Sequence, residues 1–152
     1  MSVFEPSHAV AVTGYVYEGG RFLLLKRATP PLIWAPPGGR LLPGEDPLEG
    51  VLREVGEETG LRSRVLGLVD YWFGEIADRG ALLSLDFVLS PESDSVRLSE
   101  EHEAFVWATL EDMKKGSPDL GDAPWCYDLG HFEAAERKAM ETLENLSKKR
   151  DH

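Results

Sequence analysis

Three glutamates, Glu54, Glu57 and Glu58, fall three and four residues apart in a stretch with helical spacing. Carboxylates at such intervals share one side of a helix, and on a helical wheel they are expected to cluster away from Leu48, Val51 and Val55. Like charges so placed destabilise an isolated helix by about 0.2–0.5 kcal/mol per pair. Something should compensate. Arg53, four residues from Glu57, is one counter-charge. A hard divalent cation such as Mg²⁺ (or Mn²⁺) is another, because it takes oxygen ligands and bridges carboxylates to substrate phosphates. Gly50 lies one turn before Glu54 on the same face. It is a poor helix former, but its missing side chain leaves room for a ligand or a loop. The alternative reading is the solvated face of an ordinary surface helix.

The helix that carries these acids has start and stop signals. Asp46 can cap it, Pro47 suits the first helical position and Glu49 completes a capping-box-like arrangement. Gly60 is a natural terminator after Thr59. Leu48, Val51, Leu52 and Val55 form the expected buried stripe, with Thr59 at its edge. Upstream, residues 28–47 contain six prolines and three glycines, which predicts a shaped loop with no regular element. From Gly19 to Gly44 there are four bases, Arg21, Lys26, Arg27 and Arg40, and no acid. That asymmetry can place Arg27 or Arg40 near phosphate charge, since guanidinium groups pair well with phosphate. Pairing with surface acids carries equal weight.

The elements that must position this helix are readable at coarse grain. Residues 8–17 and Arg21–Arg27 read as the strands of a hairpin around Glu18-Gly19-Gly20. Arg64–Phe73 and Ala81–Leu89 read as two more strands, on either side of a turn-rich Gly74–Gly80. Pro91–Ser99 reads as loop, Ala104–Ala108 as a short strand, Leu110–Lys115 as a helical turn and Gly116–Pro124 as loop. A last helix is expected over Leu129–Leu146, with Phe132, Ala135, Ala139, Leu143 and Leu146 on one face. Strands, helix, strands, helix, with no repeat or linker, predict one domain over residues 1–152 of mixed α/β (α+β) class.

Composition narrows the partners. The 152 residues are 42% hydrophobic, enough for a sizeable core, and 27 acids against 16 bases leave a net charge of -11. That charge argues against binding a nucleic acid polymer or an anionic membrane by electrostatics. A small phosphorylated substrate stays open, because a bound cation reverses the local field. Cys126 is the single cysteine, which excludes an internal disulfide and a cysteine zinc cluster and suits a reducing compartment. No secretory signal and no membrane-spanning run are read, so a soluble, cytoplasmic protein is expected.

The order Gly39, Glu45, Arg53-Glu54-Val55, Glu57-Glu58, Gly60-Leu61 resembles the Nudix hydrolase (MutT-like) signature at every fixed position: G, five residues, E, seven residues, R-E-aliphatic, one residue, E-E, one residue, G-aliphatic. The signature spans 23 residues, and Trp34, Pro37-Gly38-Gly39, the hairpin ending in Lys26-Arg27 and the Glu103–Trp107–Glu111 spacing also look like the family. The resemblance implies a Nudix-like α/β/α sandwich with a mixed sheet. It also implies metal-dependent attack of water on a phosphorus of a nucleoside diphosphate linked to another moiety, of ADP-ribose, sugar-nucleotide or dinucleoside polyphosphate type. The alternatives are a nucleoside triphosphate pyrophosphohydrolase and a non-enzymatic nucleotide-binding domain.

Carried onto this chain, the resemblance makes Glu54, Glu57 and Glu58 the metal ligands, joined by a backbone carbonyl of Gly38 or Gly39. Glu57 or Glu58 would position or deprotonate the attacking water, Arg53 would hold a glutamate in place, and Glu45 would support the loop and that arginine. Gly39, Glu45 and Gly60 are then structural members of the motif. A further acid from a later loop is expected among Glu100, Glu101 and Glu103, in the order of preference Glu103, then Glu101. His102 reads as an exposed loop residue with a local acid–base role as the alternative, and His8 and His131 read as structural.

Trp34, Tyr71, Trp72 and Phe73 are candidates to stack on a base, against core or interface packing. Tyr15 and Tyr17 share one strand face, pointing to core or pocket; Trp107 reads as a core anchor, and Trp125 with Phe132 as docking the last helix. Of the family's substrate marks, the proline of ADP-ribose members is replaced by Ile76, and Ala77-Asp78-Arg79 stand where dinucleoside polyphosphate members carry a tyrosine. A homodimer is one open oligomeric state.

Overall fold

Side-chain alternation along the strands decides the layering. The computed structural model describes residues 5–76, 80–123 and 126–150. Its elements are β1 (Ala9–Glu18), β2 (Arg21–Arg27), β3 (Trp34–Ala35), β4 (Gly38–Arg40), α1 (Pro47–Thr59), β5 (Ser63–Ile76), β6 (Gly80–Pro91), β7 (His102–Ala108), α2 (Leu110–Lys114) and α3 (Leu129–Arg150). Val12 and Val16 of β1, Leu23 and Leu25 of β2, and Phe87 and Leu89 of β6 meet Val51 and Val55 of α1 in one core. Their neighbours Tyr15 and Tyr17, Phe22 and Leu24, and Val88 meet Phe132, Ala135 and Ala139 of α3 in the other. Period-two strands between two helical faces make an α/β/α sandwich.

The sheet is mixed. β1 runs parallel to β6 over Ala9–Val16 and antiparallel to β4, and β5 closes the edge antiparallel to β6. β2 forms the expected hairpin with β1 and also pairs antiparallel with β3 and β7. Among the described residues no helix is long and apolar enough to cross a membrane.

Helix α1 is set by local chemistry at both ends. Asp46 Oδ1 accepts a hydrogen bond from Leu48 N at 2.7 Å, and Pro47 occupies the first turn without a donor to lose. Gly60 ends the helix with φ at 73°, a left-handed conformation that favours glycine, while its N–H donates to Gly56 O. The helix also lies very close to β1. A Cβ at Gly14 would come within 2.7 Å of Val55 Cγ2 and 3.3 Å of Val51 Cγ2, so the bare glycine sets the helix-to-sheet spacing.

Several expectations need correction. Residues 28–47 are not devoid of regular structure: β3 and β4 lie within them, held by pairing with β2 and β1 rather than by their own propensities. Leu48 and Leu52 leave the buried stripe, at 48% and 37% exposure, whereas Glu58 joins it at 5%. At 100° per residue Glu58 stands only about 20° from Val51, so the wheel itself puts it beside the apolar face. Gly74–Ile76 continue β5 instead of forming a turn, and α3 runs on to Arg150, with Leu143 and Leu146 half-buried. Tyr15 and Tyr17 are both core residues. Trp107 is half-buried against the core beneath α1. The readings made for Trp125 and for Ala77, Asp78 and Arg79 lie outside the described residues.

Candidate metal centre

The Gly38–Gly39 pair lies tightly between strand β1 and helix α1, Gly38 against the β1 backbone and Gly39 beneath Glu54 of the helix. Gly38 N donates to Glu58 Oε2 at 3.0 Å, which ties the buried carboxylate to β4. A Cβ on Gly39 would lie 2.7 Å from the Glu54 carboxyl carbon, so Glu54 is packed directly over this glycine. Gly50 faces Leu41 and Glu45; the space left by its missing side chain is taken by the preceding loop. At Gly38 the neighbours of an added Cβ are backbone, the Val12 carbonyl oxygen and Thr13 Cα. Gly38→Ala is therefore expected to destabilise the protein by about 1–3 kcal/mol through overpacking that no side-chain rotation relieves. A lower melting temperature at constant pH checks this.

Arg53 organises the acids around it. Its Nε and Nη2 grip the two carboxylate oxygens of Glu45 at 2.7 and 2.9 Å, and its Nη1 donates to Glu54 at 2.9 Å and to Glu57 at 3.2 Å. Nη2 also reaches Arg40 O at 3.3 Å, linking β4 to the cluster. Glu45 accepts from Leu42 N as well, which closes the loop before α1. The Arg53 fork, aided by Leu42 N, holds the Glu45 carboxyl down at about 2, and the Glu45 bonds in turn raise Arg53 further above its ordinary range.

The remaining carboxylates are poised the other way. Burial pushes Glu58 up to about 8, with the Gly38 N–H opposing and Glu54, Glu101 and Glu57 adding repulsion. Burial also raises Glu54, against the pull of Arg53. A buried carboxylate surrounded by three others has more negative charge than its protein neighbours neutralise. Oxygen donors of this kind suit a hard divalent cation.

The later loop delivers Glu101, not Glu103. Glu103 stands on β7 with its carboxylate 3.3 Å from Lys26 Nζ, an exposed pair across β2 and β7. A turn from Ser99 to His102, closed by His102 N donating to Ser99 O, instead sends Glu101 toward α1. Carboxylate oxygens of Glu58 and Glu101 and a ring nitrogen of His102 all lie within 4.8 Å of one another. His102 is thus no exposed loop residue: it is half-buried, burial lowers its pKa against the pull of Glu101, and Arg27 lies opposite it in the β2–β7 register.

The substrate candidates do not converge. Arg27 is exposed at the end of β2, on the side of His102, with Nε 3.4 Å from Thr29 O. Arg40 lines a separate shallow pocket with Ala9, Ile76, Gly80, Ala81 and Leu82. Trp34 on β3 packs against the core beneath α3, and Tyr71 and Trp72 stand on β5 at the other end of the strand order. Tyr71 is 64% exposed, and the Trp72 ring lies over Gly74 of its own strand. Phe73 is exposed and meets His8 in a tilted ring contact at 5.3 Å between centroids.

One polar group escaped the sequence reading. On the α3 side, buried Asp86 accepts from His131 Nδ1 at 3.0 Å, and Thr13 Oγ1 lies 2.9 Å from the Tyr127 hydroxyl. Burial pushes Asp86 up to about 6, against the pull of His131. No spacing rule links residues so distant in sequence, so nothing in the one-dimensional pattern signals the pair.

A sandwich with a glycine strand and a carboxylate-bearing helix set against each other defines the structural class. The nematode Caenorhabditis elegans Ap4A hydrolase complex has this fold, with a TM-score of 0.65, 26% identity and coverage of 92% of this chain and 99% of that one. The NUDIX domain family profile matches residues 7–127, and the chain belongs to the NUDIX family. A MutT-like protein of Streptomyces ambofaciens is 38% identical over 111 residues, covering 72% of this chain and 70% of that protein. The mouse bis(5'-nucleosyl)-tetraphosphatase (asymmetrical) is 31% identical over 109 residues, covering 60% of this chain. The matched segment spans 65% of the mouse protein's length.

Proposed function

We propose that this protein is a divalent-metal-dependent hydrolase that cleaves a pyrophosphate bond in a nucleoside diphosphate linked to another moiety, with dinucleoside tetraphosphates as the leading substrates. The observation that carries the reading is the buried Glu58 carboxylate, bonded to Gly38 N and crowded by Glu54, Glu57 and Glu101. These oxygens fit a Mg²⁺- or Mn²⁺-sized ion. The similarity to the mouse and nematode enzymes, whose names specify dinucleoside tetraphosphates, supports the substrate class.

In this reading Glu54, Glu57, Glu58 and Glu101 hold the cation, with the Gly38 or Gly39 carbonyl as a further oxygen donor. When bound, the cation supplies Lewis-acid stabilisation of charge developing on the phosphoryl and leaving oxygens. Glu57 or Glu58 orients the attacking water and takes its proton. Arg53 fixes Glu54 and Glu57 in one geometry while Glu45 fixes Arg53. Arg27, exposed beside the Glu101–His102 turn, meets the phosphate chain.

A panel of diadenosine tetraphosphate, ADP-ribose, a sugar nucleotide, NADH and nucleoside triphosphates with Mg²⁺ or Mn²⁺ tests this. The expected result is metal-dependent release of a nucleoside mono- and triphosphate from the dinucleotide, read by anion-exchange chromatography. Turnover of none of them would end the enzyme reading; turnover confined to another substrate would replace the dinucleotide assignment.

A further inference from the structure

We propose that His102 supplies a nitrogen ligand to the cation site beside Glu58 and Glu101, so that the site takes a first-row transition-metal dication in preference to Mg²⁺. The inference rests on the cation reading above and goes beyond it, because the motif helix offers only oxygen donors.

Two independent observations carry it. Oxygens of Glu58 and Glu101 and a His102 ring nitrogen already lie within 4.8 Å of one another. Bonds of about 2.1 Å put opposite donors about 4.2 Å apart, so sub-ångström shifts close the set. In addition, His102 Nδ1 is buried and has no hydrogen-bond partner among the described residues. Buried polar atoms in native proteins almost always have a partner, so an unpartnered nitrogen on the ring that completes this cluster points to a ligand the protein itself does not supply.

The backbone around His102 is held on both sides. His102 N donates to Ser99 O at 3.3 Å, and Glu101 O accepts from Ala28 N at 3.0 Å, which ties the turn to the end of β2. The register shift between Lys26 and Arg27 brings His102 opposite Arg27 at the start of β7. Donors fixed in this way select among ions by chemistry. Mg²⁺ binds oxygen and keeps its waters, whereas imidazole suits the first-row transition metals.

The test uses Mn²⁺ as a spectroscopic probe on the nucleotide-free protein. Electron spin echo envelope modulation of bound Mn²⁺ is expected to show coupling to an imidazole ¹⁴N. That coupling should persist in His8→Gln, whose histidine lies exposed against Phe73, and vanish in His102→Gln. By competition titration, His102→Gln should bind Mn²⁺ at least about tenfold more weakly, the loss that attends removal even of an outer-shell partner, and should lose much less Mg²⁺ affinity. Absence of ¹⁴N coupling in the wild-type protein, or its survival in His102→Gln, overturns the proposal. A wild-type spectrum without coupling overturns the proposal whether or not His102→Gln folds, and His102→Asn serves as a second variant for the assignment. Coupling without hydrolysis of any nucleotide would end the enzyme reading and leave this ligand standing. Hydrolysis without coupling would do the reverse.

Discussion

Replacing Glu58 with glutamine is expected to lower kcat by about 10²–10⁴-fold at saturating metal, the range for losing a positioned proton acceptor. The side chains are nearly isosteric, and the Gly38 N–H keeps an oxygen to bond, so the fold survives. The metal-free variant should also melt higher than the wild type on the alkaline side. Burial raises the Glu58 carboxyl from 4.5 to about 8 in the folded protein. Protonation therefore favours the fold: the contribution to stability is fully present below about 4.5 and is lost as pH rises through about 8. Glutamine is neutral throughout, so wild type and variant should melt alike near pH 4 and separate progressively toward pH 9. A variant that kept full kcat would remove Glu58 from the chemistry. A variant with no alkaline gain in melting temperature would contradict the burial account.

Arg53→Ala should cost about 10–100-fold in activity through loss of orientation, as expected of a group that holds ligands rather than substrate. The side chain donates to Glu45, Glu54, Glu57 and the Arg40 carbonyl at 2.7–3.3 Å. Without it, Glu54 and Glu57 are free to swing, so metal affinity should fall together with kcat. Arg53→Lys should restore little, because an ammonium cannot reproduce the planar fork that reaches all four. The acid limb of stability gives a separate readout. Glu45 is held at about 2, below its unfolded 4.5, chiefly by Arg53. Its contribution is present above about 4.5 and is lost as pH falls through about 2. The stability gap between wild type and Arg53→Ala should therefore be widest above pH 4.5 and shrink as pH falls toward 2. A gap independent of pH would indicate lost packing rather than a lost ion pair.

The ends of helix α1 were legible to the residue because their signals are local. Asp46, Pro47 and Gly60 act through their own backbone geometry, and each stands where its chemistry predicts. Strands β3 and β4 were illegible for the opposite reason. Two or three residues among prolines carry no strand pattern, and they become strands only because β2 and β1 offer hydrogen-bonding edges. The choice between Glu101 and Glu103 shows the same limit at finer scale. Both are acids on one short segment, and the turn closed by Ser99, together with Lys26 opposite, decides which of them faces α1.

The sequence by itself determined the family signature, the acids on α1 and the alternation that makes a two-faced sheet, because each depends on residue type at short, fixed spacing. Only the tertiary structure decided that Glu58 is buried against Gly38 N, that Glu101 and His102 join it and that Asp86 meets His131. Those facts depend on which distant segments share an edge or a face. Burial then changes the chemistry of the groups enclosed, raising the Glu58 and Asp86 carboxyls above their ordinary range.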